Sequence, residues 1–294
     1  MDSIAQFNFT QNPFLKEEGF FTSDFEKQTF QEYLSGKAVD EVNLFLALNS
    51  SGNLSKVKEV QGKIYDLSNL LLHKRHKHTT ELSFLYRVFN GIQTRQLVKY
   101  EKYSTFQSLM NGGTYDCLTA TALYAIILKK MNYSLEVKET AAHSYLVVNV
   151  DGKKVLFEST DREDGFVSDY KAVKEKELKY ARQTRPGDEN FSGLSGQVSE
   201  GKSIATYSQS INITQLAGLH YYNQAVVAYN NKNFKTTVNT LEKAYMLYPS
   251  KRIFTLLITS IHEVLRSPNI TNKEIKRYSA KTRYYTMNSE DWQD

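Results

Sequence analysis

Hydrophobic positions along the chain fall into distinct textures. From residue 23 to about 100 they recur with helical spacing, roughly every 3.6 residues. Val57, Val60, Ile64, Leu67, Leu70 and Leu71 mark one such face, and the apolar stretch 83–89 continues the pattern. The first dozen residues read as an arm. From about 101 to 175 the texture changes. The Gly112-Gly113 pair interrupts the chain, and Thr114 or Asp116 supplies a helix N-cap. Leu118, Ala120, Leu123, Ile126, Ile127 and Met131 follow, apolar on nearly every side, so this helix is expected to be buried and to end at Asn132. Three strand-like segments come next, 135–140, 144–150 and 154–158, with Asp151-Gly152 between the last two. Asp-Gly between apolar runs is a strong hairpin signal.

Pro186 and many Gly, Ser, Thr and Asn residues make 181–213 read as an irregular linker. Beyond it the chain is helical again. Tyr221, Ala225, Phe234, Leu241, Ala244 and Pro249 stand where a tetratricopeptide unit prefers them, while Gln224 and Thr237 replace the Leu and Ala of that pattern. One repeat cannot bury its own faces, so helices over 251–266 and 272–284 must complete the layer. The plainer reading is a generic helical hairpin. The expected organisation is a helical N-terminal region (1–100), an α+β core (101–180), the linker (181–213) and an α-helical, repeat-like region (214–294).

Composition narrows the classes of function. At 294 residues, with 40% hydrophobic and 23% charged positions, the chain reads as an ordinary globular protein larger than one typical domain. No apolar run approaches the roughly 18 to 20 residues that span a bilayer. The start, MDSIAQFNFTQ, lacks a basic stretch followed by an apolar one, so no secretory signal is visible; the compartment stays open, cytoplasmic by default. A net charge of +5 is modest, and the 37 basic residues form no stripe interleaved with aromatics, which argues against nucleic acid as a partner. His73, His76 and His78 have metal-ligand spacing, but Lys74, Arg75 and Lys77 interleave them and repel a cation, so this is expected to be a solvated basic surface. His220 and His262 read as packing residues of the helical region. The 20 tyrosines and 16 phenylalanines scatter as core residues do. With no phosphate-cradling glycine loop and no dinucleotide fingerprint, neither cofactor nor metal is expected.

The single cysteine excludes an intrachain disulfide and a multi-cysteine metal knuckle. Cys117 falls in the first turn of the buried helix, directly after a glycine-containing loop. Unpaired N–H groups and the positive end of the helix dipole favour a thiolate there. The same N–H groups serve as an oxyanion hole when a thiolate attacks a carbonyl. Asp116 opposes the thiolate unless it points away, so an imidazole partner is needed. His143 opens a strand in the same region. With a two-residue turn at Asp151-Gly152, Val150 pairs with Lys153, Tyr145 faces Glu158 and His143 faces Thr160. His143, Tyr145 and Glu158 then project from one sheet face. A three-residue turn would place Asp161 beside His143 instead. Glu158 is thus the expected acid and Asp161 the reserve. Gln107, ten residues before the cysteine, is not expected to serve as an oxyanion donor.

Gly112-Gly113-Thr114-Tyr115-Asp116-Cys117, His143-Ser144-Tyr145, and Asp151-Gly152-Lys153 running on to Phe157-Glu158-Ser159-Thr160 together resemble the transglutaminase-like superfamily. The likeness covers about 60 to 70 residues, and the flanking helical regions look most like a bacterial branch of it. Leu118 stands where that family often has Trp. The resemblance implies a papain-type core in which the cysteine helix packs on an antiparallel sheet. It implies Cys117 as nucleophile, His143 as base and Glu158 as the residue that orients the imidazole. A thiol hydrolase or acyltransferase acting on the amide bonds of a peptide or protein substrate follows. The alternative is a catalytically silent module whose helical region binds a protein partner.

Overall fold

Residues 12–48, 53–75, 80–182 and 208–288 are described by the computed structural model. They form an α+β chain whose contacts divide it into two units, 54–216, and 1–53 with 217–294. Helices α1 (Asp24–Leu34) and α2 (Glu41–Ala47) belong to the second of these.

In the unit 54–216, α3 (Leu54–Leu72) buries Val57, Val60, Ile64, Leu67 and Leu71, while Leu70 faces out. Helix α4 (Glu81–Arg95) starts from a reciprocal cap between Thr80 and Ser83. Two short strands, β1 (Lys99–Tyr100) and β2 (Thr114–Tyr115), flank α5 (Phe106–Gly112) and pair in parallel. Helix α6 (Cys117–Lys130) is buried at every position over 118–128, as its all-round apolar sequence requires. After it come β3 (Ser134–Thr140), β4 (Ser144–Val150), β5 (Lys153–Phe157), β6 (Phe166–Val167), α7 (Tyr170–Ala181) and β7 (Ser208–Ile211). The five strands form one antiparallel sheet in the order β6-β5-β4-β3-β7.

Asp151 (φ 49°) and Gly152 (φ 73°) take the two left-handed positions of a type I′ turn. The turn has two residues, and Val150 pairs with Lys153. That register sends Tyr145, Val147 and Leu156 to one face, where they cluster with Val173 and Tyr180 of α7. Leu146, Val148, Val155 and Phe157 take the other face. There Phe157 meets Phe89 of α4 and Tyr124 of α6, both at 5.7 Å between ring centroids. A sheet covered on both faces explains why β4 reads as a nearly continuous apolar run instead of alternating. Each large side chain so buried stabilises the unit by about 1.5–3 kcal/mol.

Several short elements were not legible in the sequence. Strands β1, β2 and β6 have two residues each, and α7 is largely charged, burying only Val173, Tyr180 and Ala181. The stretch expected to be an irregular linker lies outside the described residues over 183–207, and its end forms the edge strand β7.

Helix α8 (Ile213–Asn230) begins within 54–216, and from Ala217 on it belongs to the other unit with α9 (Phe234–Leu247), α10 (Lys251–Leu265) and α11 (Asn272–Met287). Tyr221, Ala225, Leu241 and Ala244 have no exposed surface. Two ion pairs lie in this core: Lys243 to Glu26 at 2.9 Å and Lys281 to Glu242 at 2.6 Å, all four side chains at most 1% exposed. His220 packs against Phe45, and burial pushes it down to about 4, so it is neutral at pH 7. His262, expected to pack, is exposed on α10. His73 is exposed, and His76 and His78 lie outside the described residues, as does the arm over 1–11. Among the described residues no helix is long and apolar enough to cross a membrane.

Candidate active site

The cysteine's position follows from the cap before it. Asp116, not Thr114, is the N-cap of α6; Thr114 lies in β2. The Asp116 carboxylate accepts from the Thr119 N–H (2.7 Å) and hydroxyl (2.8 Å), while Thr119 Oγ1 accepts from the Asp116 N–H (3.0 Å). Burial raises the Asp116 carboxyl from its ordinary value against these bonds, which favour the charged form. Its Oδ1 is therefore committed to the helix start. Cys117, the first helical residue, stays partly exposed while its neighbours Asp116 and Leu118 are buried.

Three contacts bring the other strands' ends to this turn. One helical turn after Cys117, the Thr121 hydroxyl donates to the Ser144 carbonyl at 3.0 Å and ties α6 to the start of β4. The tight β3–β4 turn is closed by the Thr140 N–H donating to the His143 carbonyl (2.8 Å) and the His143 N–H to Thr140 Oγ1 (3.0 Å). Ser159 Oγ lies 3.5 Å from the Cys117 carbonyl, and Gln93 Nε2 donates to the Ser159 carbonyl at 2.8 Å.

Within this frame His143 Nε2 is hydrogen-bonded and ion-paired with Glu158 Oε2. Cys117 is the other group that acts on this ring: its side chain and its charge both favour the protonated imidazole. Glu158 is buried, and its second oxygen accepts from the Thr160 N–H (2.9 Å) and hydroxyl (2.6 Å). Asp161 lies elsewhere: it accepts from the Asp164 N–H (2.9 Å) and from Lys176 Nζ (3.1 Å). Of the three residues singled out in the sequence, His143 and Glu158 are joined directly, and Cys117 acts on the same imidazole.

Electrostatics follow from that order. Burial disfavours a charged imidazole, but hydrogen bonds to Cys117 and Glu158, and their charge, outweigh it; His143 rises from 6.5 to about 10. Burial likewise opposes the Glu158 carboxylate. His143 and the two Thr160 bonds reverse this and hold its carboxyl below the ordinary value. Tyr180 of α7 lies 5.2 Å from the His143 ring, and Tyr145 stacks at 6.3 Å. These rings keep water from the imidazole and strengthen its bonds.

Several residues that build the site carried little signal. Thr160 belongs to the Glu-Ser-Thr run already singled out. Thr121 looks like any helix residue, and Tyr180 lies on a helix the sequence did not reveal. Gly165 is required by contact: a Cβ there would fall 2.0 Å from the Asp161 carbonyl oxygen and 2.2 Å from that of Glu158. Its own carbonyl accepts the Glu158 N–H at 2.7 Å, closing the loop that carries the acid. Among the described residues, no group of three or more His, Cys, Asp or Glu side chains is placed to hold a metal ion. Comparison of the chain with models of known families, with curated proteins and with solved structures finds no match.

Proposed function

We propose that this chain has a transglutaminase-like, papain-type core and acts as a thiol hydrolase or acyltransferase on peptide-like amide bonds. The observation that carries the reading is His143 held by the buried Glu158 carboxylate, with Cys117 near enough to favour the protonated ring. A merely structural cysteine needs no imidazole held by a buried carboxylate, because free cysteine packs as a small hydrophobe.

The roles follow from position. His143 takes the proton of Cys117, and the sulfur attacks a carbonyl at the exposed side of the helix start. His143 then returns the proton to the leaving amine, and an acyl-thioester remains on Cys117. Water releases it by hydrolysis, or an amine by transamidation; hydrolysis is favoured because water is always present. Glu158 fixes the imidazole tautomer and stabilises the imidazolium, and Thr160 keeps that carboxylate aimed. The helices over 213–287 are read as tetratricopeptide-like, a surface for a protein partner.

Alkylation by iodoacetamide tests the proposal. Cys117 is expected to react at neutral and mildly acidic pH, and Cys117→Ala to abolish both labelling and turnover of a thiol-acylating ester. Labelling that begins only above about pH 8, where an ordinary thiol ionises, would leave the silent binding module as the better reading.

A further inference from the structure

Acyl transfer at Cys117 needs hydrogen-bond donors where the carbonyl oxygen becomes negative. The helix start supplies fewer than it first suggests. The Thr119 N–H is turned to the Asp116 carboxylate, and the Cys117 N–H is the donor of that first turn nearest the sulfur. A second donor must come from a side chain. Gln107 stands in the first turn of α5, ten residues before Cys117.

Tyr100 is better placed. Strand β1 pairs in parallel with β2, so Tyr100 lies directly beside Tyr115, two residues before Cys117. The Glu101 N–H donates to the Tyr115 carbonyl at 2.8 Å, and the Val98 and Lys99 N–H groups reach the Gly113 carbonyl at 2.9 and 3.1 Å. These bonds fix β1 against the segment that delivers the cysteine. The Tyr100 ring meets Tyr115 edge to face, 5.8 Å between centroids and 87° between planes, which limits where its hydroxyl can point. The residue is 53% exposed, and it lies near enough to Cys117 for that charge to act on its phenol.

We propose that Tyr100 is the side-chain donor of this site, its O–H hydrogen-bonding the acyl carbonyl oxygen beside the Cys117 N–H as the sulfur attacks. This assignment rests on the thiol-enzyme reading and deepens it. The sulfur–carbon bond forms and the carbonyl π pair moves to oxygen. The phenol holds that oxyanion without giving up its proton. When the pair returns, the carbon–nitrogen or carbon–oxygen bond of the substrate breaks, and the leaving group takes the His143 proton. Tyr100 suits a donor that must stay protonated. Partial burial, then the charge of Cys117, and after it Asp116, Tyr115 and Glu158, push its phenol up to about 12.

Two reagents that attack the same sulfur separate this role from a structural one. p-Nitrophenyl acetate acylates a thiolate through a tetrahedral oxyanion, whereas iodoacetamide loses iodide from a saturated carbon and forms none. The assay compares intact wild-type protein with Tyr100→Phe, reading the p-nitrophenolate burst and the alkylation rate at pH 7. Tyr100→Phe is expected to slow acylation about 100-fold, the usual loss for one oxyanion donor, and to leave alkylation unchanged. Acylation at the wild-type rate overturns the assignment, and so does an equal slowing of both reactions, which marks Tyr100 as structural. A wild-type protein that shows no burst dependent on Cys117 fails at the earlier step: the thiol-enzyme reading falls, and this one with it.

Discussion

Replacing Glu158 by Gln tests the triad at its most constrained bond. The change keeps the shape of the side chain and removes its charge. The Thr160 N–H and hydroxyl both donate to Oε1. A backbone N–H cannot accept, so the amide oxygen of Gln must remain there and its NH2 group must face His143. The ring nitrogen that donates to Glu158 in the wild type then has to accept. Its proton moves to the other ring nitrogen, and a neutral imidazole in that tautomer has no free nitrogen left to take the thiol proton. Two losses combine. A hydrogen bond to a charged group is worth about 1.5–3 kcal/mol, or about 10- to 100-fold. The tautomer penalty brings the expected fall to about 10³–10⁴-fold in kcat, the size of loss seen when a triad acid becomes an amide. The assay is ester turnover at pH 7 beside an alkylation profile from pH 5 to 10. Wild type should alkylate across the acidic half of that range; Glu158→Gln should alkylate only as pH approaches about 8.5, the ordinary thiol value. A variant that keeps turnover within tenfold of wild type, with an unchanged alkylation profile, would refute the reasoning.

Other consequences can be checked separately. His143 is raised above its unfolded value, so the native state binds more protons than the unfolded state between pH 6.5 and about 10. Its contribution to stability is full below that window and is lost across it, and Cys117→Ala should flatten this slope in a series of urea melts. Gly165→Ala forces a methyl group onto the carbonyls of Asp161 and Glu158; a loss of about 1–3 kcal/mol is expected by chemical denaturation. Thr121→Val removes the tie between α6 and β4, leaving the buried Ser144 carbonyl short of a donor. It should cost about 1–3 kcal/mol and slow ester turnover more than it slows iodoacetamide labelling. Lys243→Met leaves Glu26 buried without its ammonium partner. It should cost about 3–5 kcal/mol in thermal or urea unfolding, while labelling of Cys117 below the transition stays at the wild-type rate.

What the sequence determined by itself is local. An apolar run with no polar face became the buried helix α6, because no face of it can sit in water. Asp151-Gly152 set a two-residue turn, and with period-2 alternation that turn decides which side chains share a face. Cys117 at a helix start and His143 before a strand were legible for the same reason. The choice of Glu158 over Asp161 followed from the turn length. Tertiary structure decided the rest. Asp116 was ambiguous in sequence, because a carboxylate beside a thiol opposes or spares it according to where it points; the cap with Thr119 commits it to the helix. Strands of two residues carry no periodicity, so β1 and the Tyr100 it places beside Tyr115 could not be seen. The charged helix α7 gave no apolar stripe, yet its Tyr180 walls the imidazole. Cys117 was predicted at a helix start, but the strand that follows His143 is tied to that helix by the Thr121 bond across 23 residues. Proximity of that kind belongs to the packing of distant segments, and no local pattern records it.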